Sequence, residues 1–170
     1  MKTLSLILIF LFPFIAIFNK AEAQKKSRIT TVILLRHAEK EMIAGNDNPP
    51  LSPAGIERAQ RLQATFPNVV PDMFYSTPFI RTRETLKPWA TAVDKEIQTY
   101  DAGKLLEFSE ELLKQKGKTI VVVGHSNTIP PLVNLLIHRE KYRQLPDDEF
   151  GTIYLVTIKN GNAKEKVIKY

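Results

Sequence analysis

Two of the chain's three histidines follow short apolar runs: Thr31-Val32-Ile33-Leu34-Leu35 leads into Arg36-His37, and Thr119-Ile120-Val121-Val122-Val123 leads into Gly124-His125. Open parallel sheets bind ligands in the crevice beyond the carboxyl ends of their strands, so two imidazoles in these equivalent places converge if the two runs are neighbouring strands. Phosphoryl transfer suits such a group. It asks for an in-line nucleophile and for fixed positive charge on the three equatorial oxygens, and little else. A guanidinium grips phosphate oxygens in a planar, bidentate way and keeps its charge, which makes Arg36 and one later arginine a plausible clamp. Arg81 and Arg83 compete for the second place. Two positions apart on a helix they point to nearly opposite sides, and Arg81 is nearer the helix N-terminus, where the dipole also attracts anions, so Arg81 is the choice.

The elements that must position these groups alternate between strand and helix. The two apolar runs are uninterrupted and rich in branched residues, as expected of strands covered on both faces. Ser52-Pro53 caps and opens a helix with Ile56, Ala59, Leu62 and Phe66 at helical spacing. Asp72–Ser76 reads as a strand, and Thr77-Pro78 repeats the cap-plus-proline signal for a second helix, which Pro88 is expected to kink or end before Val93. Glu96–Tyr100 is a weaker strand; Leu105, Phe108, Leu112 and Leu113 mark a helix that stops near Gly117, and Ile129–Ile137 a further one. Asn160-Gly161 between Thr152–Ile158 and Lys164–Ile168 is a hairpin signal, because both residues tolerate positive φ. The expected fold class is α/β: a three-layer α/β/α sandwich with a mostly parallel central sheet.

Composition narrows the function classes. The chain of 170 residues is 44% apolar and 25% charged, the balance of one soluble globular domain. Lys2, the apolar run Leu4–Phe18 and Ala21-Glu22-Ala23 have the form of a secretory signal peptide over residues 1–23, leaving a catalytic domain at 24–170. The run holds Pro13 and falls short of the roughly 20 residues of a spanning helix, so export to the periplasm or the outside is favoured over an uncleaved membrane anchor. Without cysteine there are no disulfides, no thiolate metal sites and no thiol nucleophile. After removal of the leader, 22 basic residues face 17 acidic ones, a mild preference for anionic substrates. Lys25-Lys26-Ser27-Arg28 is a short solvated tail and not a nucleic-acid surface.

Taken together the motifs resemble the histidine phosphatase superfamily, which includes the phosphoglycerate mutases and small bacterial phosphohistidine phosphatases. The resemblance is carried by Leu35-Arg36-His37-Ala38-Glu39-Lys40, with alanine at Ala38 in place of the more usual glycine, then by Pro50–Gly55, Ser76–Thr85 and Val123-Gly124-His125-Ser126. It implies a phosphoglycerate mutase-like fold in which His37 is the nucleophile that becomes a phosphohistidine. Arg36, Arg81 and His125 then hold the transferring group, with no metal and no cofactor. His37 would keep its attacking nitrogen free by placing the proton on the other, against a backbone carbonyl, while His125 would serve as a charged donor. Release of an alcohol calls for a proton donor. The resemblance places it at Asp101, with Glu39, Asp47 and Glu107 as alternatives and a plain turn aspartate as the competing role for Asp101. Ser126 and Asn127 can support phosphate or merely cap a helix, with Ser126 preferred as a substrate contact. His138, at the end of an apolar helix, carries no role.

The expected function is therefore metal-independent hydrolysis of a small phosphorylated substrate. Two alternatives share the pocket: a binder of a phosphorylated envelope component that does not turn it over, and a phosphoglycerate-type mutase. Membrane contact is expected only through an uncleaved N-terminal segment. The specificity loops hold no recognisable code for one substrate, and the motifs leave the oligomeric state open.

Overall fold

Residues 29–170 are described by a computed structural model; the expected leader and the basic tail lie outside them. The elements follow in the order β1 (Ile29–Arg36), α1 (Pro53–Ala64), β2 (Met73–Ser76), α2 (Ile80–Ala92), β3 (Ile97–Thr99), α3 (Leu105–Lys114), β4 (Thr119–Gly124), α4 (Ile129–Ile137), β5 (Thr152–Lys159) and β6 (Asn162–Lys169). They build one sheet in the order β3-β2-β4-β1-β5-β6. The first four strands of the chain are mutually parallel; β5 pairs antiparallel with β1, and β6 antiparallel with β5.

Alternation along each strand sends side chains to two separate cores. From β1, Val32 and Leu34 join Ile120 and Val122 of β4 under α3 and α4, where Phe108, Leu112, Leu132 and Leu136 are buried. Ile33 and Leu35 point the other way, with Val121 and Val123, to meet Leu62 of α1 and Leu86 and Trp89 of α2. The expected three-layer α/β/α sandwich is thus what the chain forms. At the hairpin, Asn160 and Gly161 take φ of 52° and 79°, the left-handed values that their signal implied.

As expected, α2 ends before Val93, which is its C-cap, but the helix runs through Pro88 and continues to Ala92. An interior proline costs about 3 kcal/mol. The next turn, however, buries Trp89 completely, stacked at 5.5 Å on Phe66 and edge-on to Phe74, and a buried aromatic of this size outweighs that cost. Thr77-Pro78 does not open the helix: Phe79 is the N-cap, because the Thr77 hydroxyl is engaged elsewhere. Ser52 does cap α1, its hydroxyl accepting from the Gly55 amide at 3.2 Å with Pro53 in the first turn. Ile56, expected in the core by its spacing, lies half-exposed. Gly55 has to be glycine, since a Cβ there would run into the Glu39 carbonyl beside the first histidine.

Candidate active site

The register between β1 and β4 pairs Leu35 with Val123 and Arg36 with Gly124, and the His37 amide donates to the Gly124 carbonyl at 2.9 Å. His37 and His125 therefore leave the sheet side by side, their ring centroids 5.4 Å apart and their planes at 70°. A Cβ at Gly124 would collide with the Tyr100 hydroxyl and crowd Thr128, so the close approach of the His125 turn depends on that glycine. Beyond them opens a cavity of about 620 Å³ whose walls include Arg36, His37, Arg81, His125 and Ser126.

The tautomer of His37 follows from its partners. Its Nδ1 lies 2.7 Å from the Ala38 carbonyl, which can only accept, so Nδ1 carries the proton and Nε2 presents its lone pair. Arg81 Nε points at that lone pair from 3.3 Å. His125 Nε2 lies 2.9 Å from the Thr77 hydroxyl, which is 2.9 Å from the Thr82 hydroxyl. With Thr82 donating to the Phe79 carbonyl at 2.8 Å, Thr77 donates to Thr82, and His125 Nε2 is the donor to Thr77.

Arg36 is 8% exposed and His37 4%, although both groups are polar. Arg36 Nη1 sits 2.9–3.0 Å from the carbonyls of Pro146, Asp147 and Glu149, and the guanidinium lies over the Phe150 ring at 4.2 Å. Its other edge is unused: Nε is buried without a partner, and Nη2 makes no hydrogen bond to a described residue. A buried charged donor left unmade costs about 1–3 kcal/mol or more, so this edge marks where a bidentate anion belongs.

Electrostatics point the same way. Burial pushes His37 down to about 3, with further lowering from His125, Arg81 and Arg36. His125 is pushed down to about 4 by burial and then by the same two arginines. Both values lie below neutral pH, so without an anion the two imidazoles are uncharged at pH 7. An arriving anion would reverse the balance and favour protonation of His125.

The structure brings together His37, Arg36, Arg81, His125 and Ser126 around one cavity, with Asn127 beside them. Arg83 faces away, donating to Thr99 at 3.2 Å. Asp101 is not among the cavity residues: its carboxylate accepts from the Gly103 amide at 2.8 Å in a local turn and borders a separate hollow with Tyr75 and Glu111. The next two residues, Ala102 and Gly103, do line the cavity. His138 ends α4 in a left-handed conformation, outside the cavity.

Lys40, Phe79, Gln144 and Asp147 also line the cavity and were not anticipated. Lys40 and Phe79 stand within motifs already singled out, whereas Gln144 and Asp147 belong to an irregular stretch with no pattern of its own. Buried Asn134 folds that stretch back by binding the amides of Lys141 and Tyr142, and Leu145 donates to the Ser126 carbonyl at 3.1 Å.

A parallel-sheet crevice with a free imidazole nitrogen among guanidiniums is suited to holding a tetrahedral oxyanion beside a nucleophile. By sequence, residues 32–108 match the model of the histidine phosphatase superfamily (branch 1). Solved structures share the fold. Protein histidine phosphatase SixA, complexed with tungstate, is 18% identical at TM-score 0.65, covering 82% of this chain and 96% of that one. An Entamoeba histolytica phosphoserine phosphatase in complex with phosphoserine is 20% identical at TM-score 0.65, covering 81% and 95%. Mycobacterial glucosyl-3-phosphoglycerate phosphatase is 11% identical at TM-score 0.66, covering 84% and 99%. Comparison with curated protein sequences gives no match.

Proposed function

We propose that the chain hydrolyses small phosphorylated substrates without a metal, through a phosphohistidine formed on Nε2 of His37. The observation that carries this is the fixed His37 tautomer: a lone pair aimed into a cavity where, among the described residues, the one hydrogen-bonding group that meets it is the Arg81 cation. A neutral nucleophile beside positive charge suits attack on a dianionic phosphorus centre and little else. In the first step the P–O bond to the leaving group breaks as the P–Nε2 bond forms. The free edge of Arg36, Arg81 and His125 hold the equatorial oxygens, with Ser126 at the His125 turn as a further contact. In the second step water attacks phosphorus and His37 is released. A relative's complex with tungstate, a tetrahedral oxyanion, and another's with phosphoserine support this use of the crevice. The test is brief incubation with a 32P-labelled phosphomonoester, quenching in base, and mapping of the label, which should sit on His37.

The two arginines separate a clamp from a surface cation. Arg81→Ala should lower kcat/KM on an aryl phosphate by about 10²- to 10³-fold, the usual consequence of removing one preorganised donor to a developing charge. Arg83→Ala, whose guanidinium reaches only Thr99, should change it less than several-fold. Equal losses in a steady-state assay would remove Arg81 from the clamp.

We also propose that the protein works outside the cytoplasm after loss of residues 1–23, on the strength of Lys2, the Leu4–Phe18 run and Ala21-Glu22-Ala23. N-terminal sequencing of protein expressed from the full chain should begin at Gln24. An intact Met1 in the membrane fraction would show an anchor instead.

A further inference from the structure

Departure of an alcohol leaving group calls for an acid, and the Asp101 carboxylate accepts from the Gly103 amide in a local turn instead of lining the cavity. The other candidates are committed. Glu39 takes three hydrogen bonds from Arg58, Glu107 borders the same separate hollow as Asp101, and Asp47 offers Arg81 its backbone carbonyl from outside the cavity lining. Among the described residues that line the cavity, Asp147 is the one that bears a carboxyl group.

Asp147 is placed by the clamp itself. Its carbonyl accepts from Arg36 Nη1 at 3.0 Å, between like contacts to Pro146 and Glu149, so its side chain starts within one residue's reach of the phosphate-binding guanidinium. The loop is held from both sides. The Glu149 amide donates to Pro146, the Glu149 carboxylate is tied to Thr152 and Lys169, and Leu145 is bonded to Ser126. Yet the Asp147 carboxylate makes no hydrogen bond or ion pair to another described residue, and of the acidic groups acting on the Arg36 charge it acts most strongly. Asp147 is thus an exposed carboxyl without a partner among the described residues, on a loop whose backbone is pinned beside the cavity.

We propose that Asp147 is the proton donor to the leaving-group oxygen and, in the second step, the base for the attacking water. This rests on the phosphatase reading above. The proton enters with a monoanionic phosphomonoester or with Asp147 itself. As the P–O bond breaks and the P–Nε2 bond forms, Asp147 gives its proton to the departing alkoxide, which leaves as the alcohol. Water then attacks phosphorus, its proton passes to the Asp147 carboxylate, the P–Nε2 pair returns to His37, and phosphate and the starting protonation state are restored.

The test compares leaving groups. Asp147→Asn should lower kcat/KM on an alkyl phosphate such as glycerol phosphate by about 10²- to 10³-fold, the usual worth of a positioned general acid. On 4-nitrophenyl phosphate, whose phenolate leaves without help, the loss should be several-fold, and 32P labelling of His37 by that substrate should persist. Asp148→Asn removes the same charge one position along and should show no such selectivity. Equal losses on both substrates, no loss on either, or an alkyl-selective loss in Asp101→Asn instead would overturn the assignment. Wild-type protein that neither turns over the aryl phosphate nor carries label would overturn the phosphatase reading, and this assignment with it.

Discussion

His37→Ala is expected to abolish the phosphoryl-enzyme and to lower turnover of an aryl phosphate by about 10⁴-fold or more, the scale seen when a covalent nucleophile is removed. The fold should survive. The contact that joins His37 to β4 is made by its backbone amide to Gly124, and alanine keeps it. Truncation also leaves the free edge of Arg36, Arg81 and His125 in place, with Arg81 Nε relieved of its long contact to the imidazole. Oxyanion binding should therefore persist within several-fold while chemistry stops. Sulfate titration followed by thermal shift, beside steady-state phosphate release, reads both quantities on one sample. A variant that still turns over substrate at a tenth of the wild-type rate would mean that water attacks phosphorus directly and that His37 only binds. A variant that loses sulfate binding with activity would instead make His37 part of the clamp.

How much of this site follows from the chain depends on how locally each part is determined. The two central strands announce themselves because residues covered on both faces must be continuously apolar, and the histidines follow because they stand at the ends of those runs. Ser52 signals its helix because a cap acts within one turn. Helical geometry allows only one of Arg81 and Arg83 to face the site, and the helix N-terminus favours Arg81. Other features were set at a distance. Pro88 is tolerated because Trp89 packs on Phe66 and Phe74, contacts that no local rule contains. Asp101 has the right chemistry at the end of a strand, but its carboxylate satisfies an amide two residues on, and an Asx turn is as local a cause as catalysis is a remote one. Asp147 could not be found from pattern at all. It reaches the cavity because a guanidinium 111 residues earlier in the chain binds its carbonyl.

A second large effect concerns acid. His37 at about 3 and His125 at about 4 both lie below the ordinary 6.5, so the folded protein binds fewer protons than the unfolded chain at intermediate pH. Stability is then full above pH 6.5 and declines as pH falls from there toward about 4 and then about 3, because unfolding takes up the protons that the site refuses. The groups facing the two rings are Arg36 and Arg81, whose charges oppose protonation, together with neutral Phe79 and Thr77. An oxyanion supplies the missing counter-charge. Sulfate keeps its own charge across this range, so a binding event that takes up one proton should tighten by up to about tenfold per pH unit as pH falls below neutrality, until that proton is bound in the free protein as well. The thermal midpoint should accordingly fall between pH 7 and pH 4.5 without sulfate, and a fixed sulfate concentration should raise it several times more at pH 5 than at pH 8. His125→Asn should keep part of the sulfate response but flatten its dependence on pH, since Nδ1 of His125 makes no hydrogen bond to a described residue and is free to carry the added proton to the anion. A sulfate response of equal size at pH 5 and pH 8 would mean that neither imidazole takes up a proton when the anion arrives. The guanidiniums alone would then hold the phosphoryl group, and His125 would contribute only as a neutral neighbour.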